Sequence, residues 1–418
     1  MKKTMAAVCA VSFAILLLLL AGVAVMEYKK VASEEAMTEI MPETVLPEVT
    51  ELAEKEKLPV QQMTEMSGHE GRDVPQESKE EETEECESGA AVETQTTPVA
   101  VLELTKEAEI LLAGDICLQD YIAGYYDKDG IGGIVSMELR ADMLTADVMM
   151  ANQEFAFSER GEPMEDKQFT FRIAPRYASM FNEMGIDIVS LANNHALDYG
   201  QDALMDSFET LDNNDIKYVG AGENYERAKK MEIIEQNGMK IGILAASRVI
   251  PVVEWNAGTS SPGMLTTYDP TALLQEIEEG KKNCDVLLVY VHWGEEKAEF
   301  PEEYQKNMAH MYIDAGADAV IGAHPHVMQG IEYYKDKIIA YSLGNYIFST
   351  RTGNTAMLRL NFKEDGTQEA QLVPVDASAF PIDAMPYEKQ EAFFRYMESI
   401  SFGITIDEDG RICYTQSK

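Results

Sequence analysis

The chain has 418 residues, enough for a large core plus non-globular segments, and carries a formal net charge of −39. So acidic a composition excludes sequence-independent binding to nucleic acid, because nothing offsets repulsion from a polyanion. Five scattered cysteines without CxxC spacing exclude a zinc ribbon and indicate no disulfide framework.

In chain order, the first element is "MKKTMAAVCAVSFAILLLLLAGVAVMEYKK", in which two lysines precede about 22 uncharged residues, long enough to cross a bilayer as a helix. Residues 1–30 are read as an N-terminal membrane anchor or signal segment. "GVA" at 22–24 offers a small-residue cleavage site, but the apolar run exceeds the usual signal-peptide core and favours an uncleaved anchor. Lys2 and Lys3 then orient the chain as a single-pass cell-membrane protein whose C-terminal domain is extracytoplasmic. Residues 31–105 are rich in Glu, Thr and Pro and poor in aromatics, the composition of an acidic disordered linker. His69 lies there and needs no role.

From residue 106, short apolar runs alternate with segments of helical period. "AEILLAGD", "ADVMMANQE", "DIVSLANNH", "KIGILAAS", "DVLLVYVHWG", "ADAVIGAHPH" and "DKIIAYSLGN" read as buried strands. "APRYASMFNEMG", "QDALMDSFETLDNN", "PTALLQEIEEGKKN" and "PEEYQKNMAHMYIDAG" read as amphipathic helices between them. This alternation predicts an α/β domain over 106–355 whose sheet is covered on both faces. Residues 356–418 read as a strand-rich extension with Asp-Gly turns that completes the core.

In open α/β sheets, ligands bind where the loops converge at the carboxyl ends of the strands. Those ends carry Asp115 after "ILLAG", Asn152 and Glu154 after "VMMA", and Asn193, Asn194 and His195 after "VSLA". His292 follows "LLVYV", and His324 and His326 follow "AVIGA". Four of the six histidines thus share one predicted face, which packing alone has no reason to arrange. Carboxylate, amide oxygen and imidazole together suit a divalent transition metal such as Mn, Fe or Zn. A pair of such ions can polarise a substrate oxygen and lower the pKa of a bound water. Glu154 is placed to bridge them, and His195 is assigned as the acid that protonates a leaving group. Arg172 in "FTFRIAP" is a candidate for steering an anionic substrate toward the metals. Plainer readings stand beside these: Asp115 as a turn residue, Asn194 as a helix N-cap, and Cys117 as a small buried hydrophobe. His310, at helical spacing in "YQKNMAHMYIDAG", is read as packing or surface.

The ordered motifs "AGDICL", "ANQE", "TFRIAP", "SLANNHALDYG", "VHWGEE", "GADAVIGAHPHVMQG" and "YSLGNYIF" resemble the capsule-synthesis CapA proteins, also called poly-γ-glutamate synthesis proteins. The domain of that family is similar to the calcineurin-like metallophosphoesterases. The resemblance implies a four-layer α/β/β/α sandwich and a role in making an anionic surface polymer, with the polymer or its precursor and polymer synthase subunits as partners. It also implies a metal-dependent hydrolase or transferase with two ions. Asp115 looks like the first-motif aspartate, Asn194 like the metal-binding asparagine and His195 like the catalytic histidine. His292 resembles the isolated fourth-motif histidine, and His324 and His326 the closing His-x-His whose imidazoles serve different metals. Two positions depart from the pattern. Cys117 stands where a histidine is usual, so one metal site is weaker, thiolate-ligated or absent; "NQE" stands where Gly-Asp is usual, leaving the bridging ligand open between Asn152 and Glu154. Two other functions fit the same motifs: a non-catalytic accessory subunit that binds or exports the polymer, and a surface metallophosphoesterase unrelated to capsule.

Overall fold

Seven apolar runs of the sequence emerge as the central strands of two sheets, in a computed structural model that describes residues 106–348 and 352–415. The anchor expected over 1–30, the linker expected over 31–105 and His69 lie outside the described residues. Among the described residues, no helix is long and apolar enough to cross a membrane. The fold is mixed α/β.

The first sheet has eight strands. Its parallel half consists of β1 (Glu107–Ile116), β2 (Val148–Gln153), β3 (Ile188–Ser190) and β4 (Lys217–Val219). The second sheet has six strands: β5 (Glu232–Gln236), β6 (Met239–Ser247), β7 (Val286–His292), β8 (Ala319–Ala323), β9 (Ile331–Tyr334) and β10 (Lys337–Ala340). Strands β6, β7, β8 and β10 run parallel, while β5 and β9 are antiparallel edges. The chain then returns to the first sheet with β11 (Asn345–Ile347), β12 (Gly353–Lys363), β13 (Gln368–Ala377) and β14 (Asp383–Ala384). β12 lies antiparallel to β1 and crosses the expected 355/356 boundary, so the C-terminal strands continue the sheet that β1 begins. The Asp365-Gly366 turn joins β12 to β13, with Gly366 at φ 85°. The tail also holds a 14-residue helix, Tyr387–Ile400, where only strands were expected. Its Phe393, Phe394, Met397 and Ile400 recur at helical spacing and are buried.

Alternation along the second sheet explains why it is covered on both faces, since successive strand residues point to opposite sides. Ile241, Ile243, Leu288, Tyr290 and Ile321 pack into one core with β1 and β2. Their neighbours Leu244, Leu287, Val289, Val291 and Val320 pack instead against Leu273 and Ile277 of helix Thr271–Gly280 and Met308, Tyr312 and Ile313 of helix Glu303–Ala315. The buried Tyr290 hydroxyl donates to the Ala113 carbonyl at 2.8 Å and ties β7 to β1. Because a buried carbonyl left without a donor costs about 1–3 kcal/mol, this bond helps fix how the two sheets meet.

Register brings the site together. Asp115 pairs with Asn152 on one side and with Asn345 on the other, and a β-bulge lies in β1 just before it. Bulges re-aim side chains in this way at the ends of strands. The approach of Asp115 to the 344 turn requires glycine at 114: a Cβ there would lie 1.9 Å from the Gly344 carbonyl oxygen. On the second sheet, His292 ends β7 in register with Ala323, the last residue of β8 before the histidine turn.

Candidate metal centre

Glu154 lies at the middle of the converging loops. Its side chain is fully buried, and neither carboxylate oxygen has a hydrogen-bond partner. Around Oε1 stand three imidazole Nε2 atoms, those of His195 at 4.0 Å and of His292 and His326 at 3.9 Å. His324 joins them: ligand atoms of Glu154, His324 and His326 all lie within 4.8 Å of one another, and the buried Nδ1 of His324 also lacks a partner. Burial of a carboxylate and imidazoles without mutual hydrogen bonds is unfavourable unless a cation completes the set. The donor set, with carboxylate oxygen, imidazole nitrogen and a nearby amide oxygen, fits a borderline divalent metal.

The electrostatics agree with that fit. Burial pushes the Glu154 carboxyl well above the usual carboxylate range, and the charge of Asp115 pushes it further. Burial holds His292 well below the ordinary imidazole value, with His324 and His326 adding to the effect. His324 is brought down to about 4, first by burial and then by His326. Neutral imidazole is the form that ligates. His326 goes the other way: burial lowers it, but the Glu154 and Asp115 carboxylates outweigh burial and push it up to about 9. Without a cation, the proton of His326 is the positive charge nearest these two acids.

Asp115 is fully buried and well bonded. Its Oδ1 accepts from Asn152 Nδ2 at 2.8 Å, and its Oδ2 accepts from the His324 N–H at 3.3 Å and lies 3.4 Å from His326 Nδ1. Asn152 is committed to neighbours on both sides, since its Oδ1 accepts from Asn193 Nδ2 at 3.0 Å and its Nδ2 lies 3.4 Å from His292 Nδ1. Of the two open choices in "NQE", Asn152 has both amide atoms bonded to neighbours, and Glu154 is the residue with free oxygens. Asn194 Oδ1 lies 2.7 Å from His292 Nε2, so these two donors sit side by side at the centre.

Both rings of the histidine turn reach the Glu154 carboxylate. The backbone explains this. His324 has φ 99° and His326 φ 58°, on either side of Pro325. Positive φ at a non-glycine residue costs about 1–2 kcal/mol. The turn curls both imidazoles back toward Glu154, and Asn345 Oδ1 then holds His326 Nδ1 at 2.8 Å.

Two sequence candidates sit beside the cluster and make their bonds to other groups: Cys117 and Arg172. The Cys117 thiol is buried and accepts from Gln119 Nε2 at 3.3 Å. Burial raises it well above the ordinary thiol value. Arg172 does not face the cluster: its Nη1 donates to the carbonyls of Arg160 and Gly161 at 2.8 and 2.9 Å, and its guanidinium lies over the Tyr199 ring. His310 pairs with Glu332 at 2.9 Å and stacks on Tyr334, a packing role.

Three residues at the centre carry no assignment from sequence. Asp198, fully buried, accepts from His195 Nδ1 at 2.6 Å and from the Phe171 N–H at 2.7 Å, leaving His195 Nε2 toward Glu154. Lys167 bonds the other Asp198 oxygen and the Asn194 carbonyl, and lies 3.2 Å from His195 Nδ1. Asn193 accepts the His195 N–H at 3.0 Å and donates to the Gln153 carbonyl at 2.7 Å, tying the histidine loop to β2. The i, i+3 spacing of His195 and Asp198 in "HALD" was a usable signal. Lys167 had none, because its loop reaches the site from outside the strand series.

The family profile of the bacterial capsule synthesis protein PGA_cap matches residues 109–350, from the start of β1 past His326 and Asn345. The chain belongs to this family. It is 29% identical over 311 residues to the PGA biosynthesis protein CapA of Bacillus subtilis (strain 168), covering 72% of this chain and 80% of that protein. It is 34% identical over 218 residues to the capsule biosynthesis protein CapA of Bacillus anthracis, covering 50% of this chain and 53% of that relative. Among solved structures, it is similar to a phosphatase from Mycoplasma pneumoniae with 14% identity and a TM-score of 0.42, over 65% of this chain and 95% of that one.

Proposed function

We propose that this PGA_cap protein is a membrane-anchored, extracytoplasmic, metal-dependent hydrolase or transferase of poly-γ-glutamate capsule synthesis, acting on the polymer or its precursor. Its two sheets and covering helices are read as the metallophosphoesterase type of α/β/β/α sandwich. One observation carries the metal reading: the fully buried Glu154 carboxylate without a hydrogen bond, ringed by imidazole nitrogens. Glu154, His292, His324 and His326 hold the metal, with Asn194 and Asp115 beside them. A divalent transition metal bound there supplies a Lewis acid that polarises a substrate oxygen.

The remaining work falls to the chain's own groups. Asp198 accepts the Nδ1 proton of His195 and fixes its ring; burial favours the neutral imidazole, so Nε2 first takes a proton from the attacking water and then passes it to the departing group. Lys167 neutralises Asp198 and clamps the Asn194 carbonyl, holding the 193–198 turn in place. The test is elemental analysis of the full-length protein combined with turnover of a generic phosphodiester and a γ-glutamyl peptide. Stoichiometric metal that disappears in His324→Ala/His326→Ala, together with turnover by the wild type, supports the proposal. Metal without turnover of either substrate moves the reading to a polymer-binding accessory subunit, and absence of metal overturns it.

A further inference from the structure

A polar cleft of about 480 Å³ opens beside the metal centre, lined by Gln119, Ser158, Thr170, Phe171, Arg172 and Tyr199. It adjoins the His195 side. The Phe171 ring lies 4.3 Å from the His195 ring, centroid to centroid, and its backbone N–H bonds Asp198. Gln119 bonds Cys117, two residues beyond Asp115, and Tyr199 directly follows Asp198. The volume suits a ligand fragment of several heavy atoms.

Arg172 is the notable group in this cleft. Nη1 is held by two carbonyls and the guanidinium lies 4.2 Å from the Tyr199 ring centroid, while Nε and Nη2 have no partner among the described residues. Among the described residues, Arg160, Arg227, Arg359, Arg395 and Arg411 are each paired with a carboxylate, whereas Arg140, Arg176 and Arg248, like Arg172, meet carbonyls, hydroxyls or aromatic rings instead. A planar fork, pre-oriented on an aromatic ring and lacking an acid of its own, recognises carboxylate or phosphate with two parallel bonds.

We propose that this cleft binds the departing portion of the substrate and that Arg172 recognises an anionic group on it, a carboxylate or a phosphate. The proposal rests on the reading of the neighbouring centre as the reacting site with His195 as proton donor. Substrate would then lie across His195, with its reacting bond at Glu154 and its anionic group at Arg172. Asp120 and Glu159 also line the cleft and disfavour additional negative charge at its rim.

Fluorescence anisotropy on the full-length protein tests this with three labelled probes: a γ-glutamyl hexapeptide, a phosphoserine-containing peptide and a neutral glycine hexapeptide. Each is measured in wild type and in the His324→Ala/His326→Ala background, so that binding at a metal is counted separately. Arg172→Gln is expected to weaken one of the anionic probes about tenfold in both backgrounds and to leave the neutral probe unchanged. Whichever anionic probe responds identifies carboxylate or phosphate as the group read. Asp120→Asn/Glu159→Gln, at exposed positions that leave the loop bonds of Arg172 intact, is expected to tighten the same probe about twofold. Affinity unchanged by Arg172→Gln in a folded protein overturns the proposal. Should that variant fail to fold, absence of tightening in the double variant overturns it instead. Metal content, read separately, bears only on the centre.

Discussion

Two buried carboxylates face opposite circumstances. Asp318, just before β8, is satisfied on both oxygens: Oδ2 accepts from Lys281 Nζ at 2.6 Å and the Leu287 N–H at 2.8 Å, and Oδ1 from Lys337 Nζ at 2.8 Å. Glu154, near the turn that follows β8, is more deeply buried and has no bond on either oxygen. The same side-chain chemistry thus serves two ends of one molecule. A buried acid with its cations built in holds the fold, whereas one with imidazoles gathered around it and no bond offers a donor set that fits a cation from outside.

The contrast breaks most sharply at Glu154. Glu154→Gln is expected to lower metal affinity about a thousandfold, close to 4 kcal/mol, while the metal-free variant melts no lower than metal-free wild type because a buried carboxylate without a hydrogen bond has gone. Elemental analysis and calorimetry read the two halves of that outcome. A metal-free variant that melts well below wild type would remove the distinction between the two acids. Next, Mn or Zn at about a thousand times Kd is expected to stabilise wild type by about 4 kcal/mol, with chelator reversing the gain and Glu154→Gln showing none. Asp318→Asn is expected to cost about 2 kcal/mol in urea unfolding and to leave metal content alone; the figure is moderate because both lysines are about one-third exposed. Smallest is Tyr290→Phe, which removes the inter-sheet bond to Ala113 and is expected to cost about 1 kcal/mol, with metal content the control.

What was legible in the sequence followed from short-range pattern. Apolar runs bounded by turns marked the parallel strands, and polar residues just past them marked Asp115, Glu154, His195, His292, His324 and His326, which the fold does bring together. Contacts set by long loops were not legible. Lys167 reaches Asp198 across a crossing segment, and the side of the site that Arg172 occupies depends on carbonyls at 160 and 161 that no periodicity reveals. Asn345 sat within a quoted motif, yet its hold on His326 arises from β1 and β11 pairing far apart in the chain. Helix Tyr387–Ile400 was overlooked because flanking strand signals and Asp-Gly turns dominated the tail.

The backbone at His324 and His326 has a further consequence. Glycine is the residue that both positive φ values suit, and at each position it would relieve strain of roughly 1–2 kcal/mol. Glycine has no side chain to offer Glu154. Selection for thermal robustness alone would drift these two codons toward glycine and leave a sturdier fold without these imidazoles. Histidine at both positions therefore keeps two imidazoles facing Glu154 at the expense of a stability that the chain has forgone.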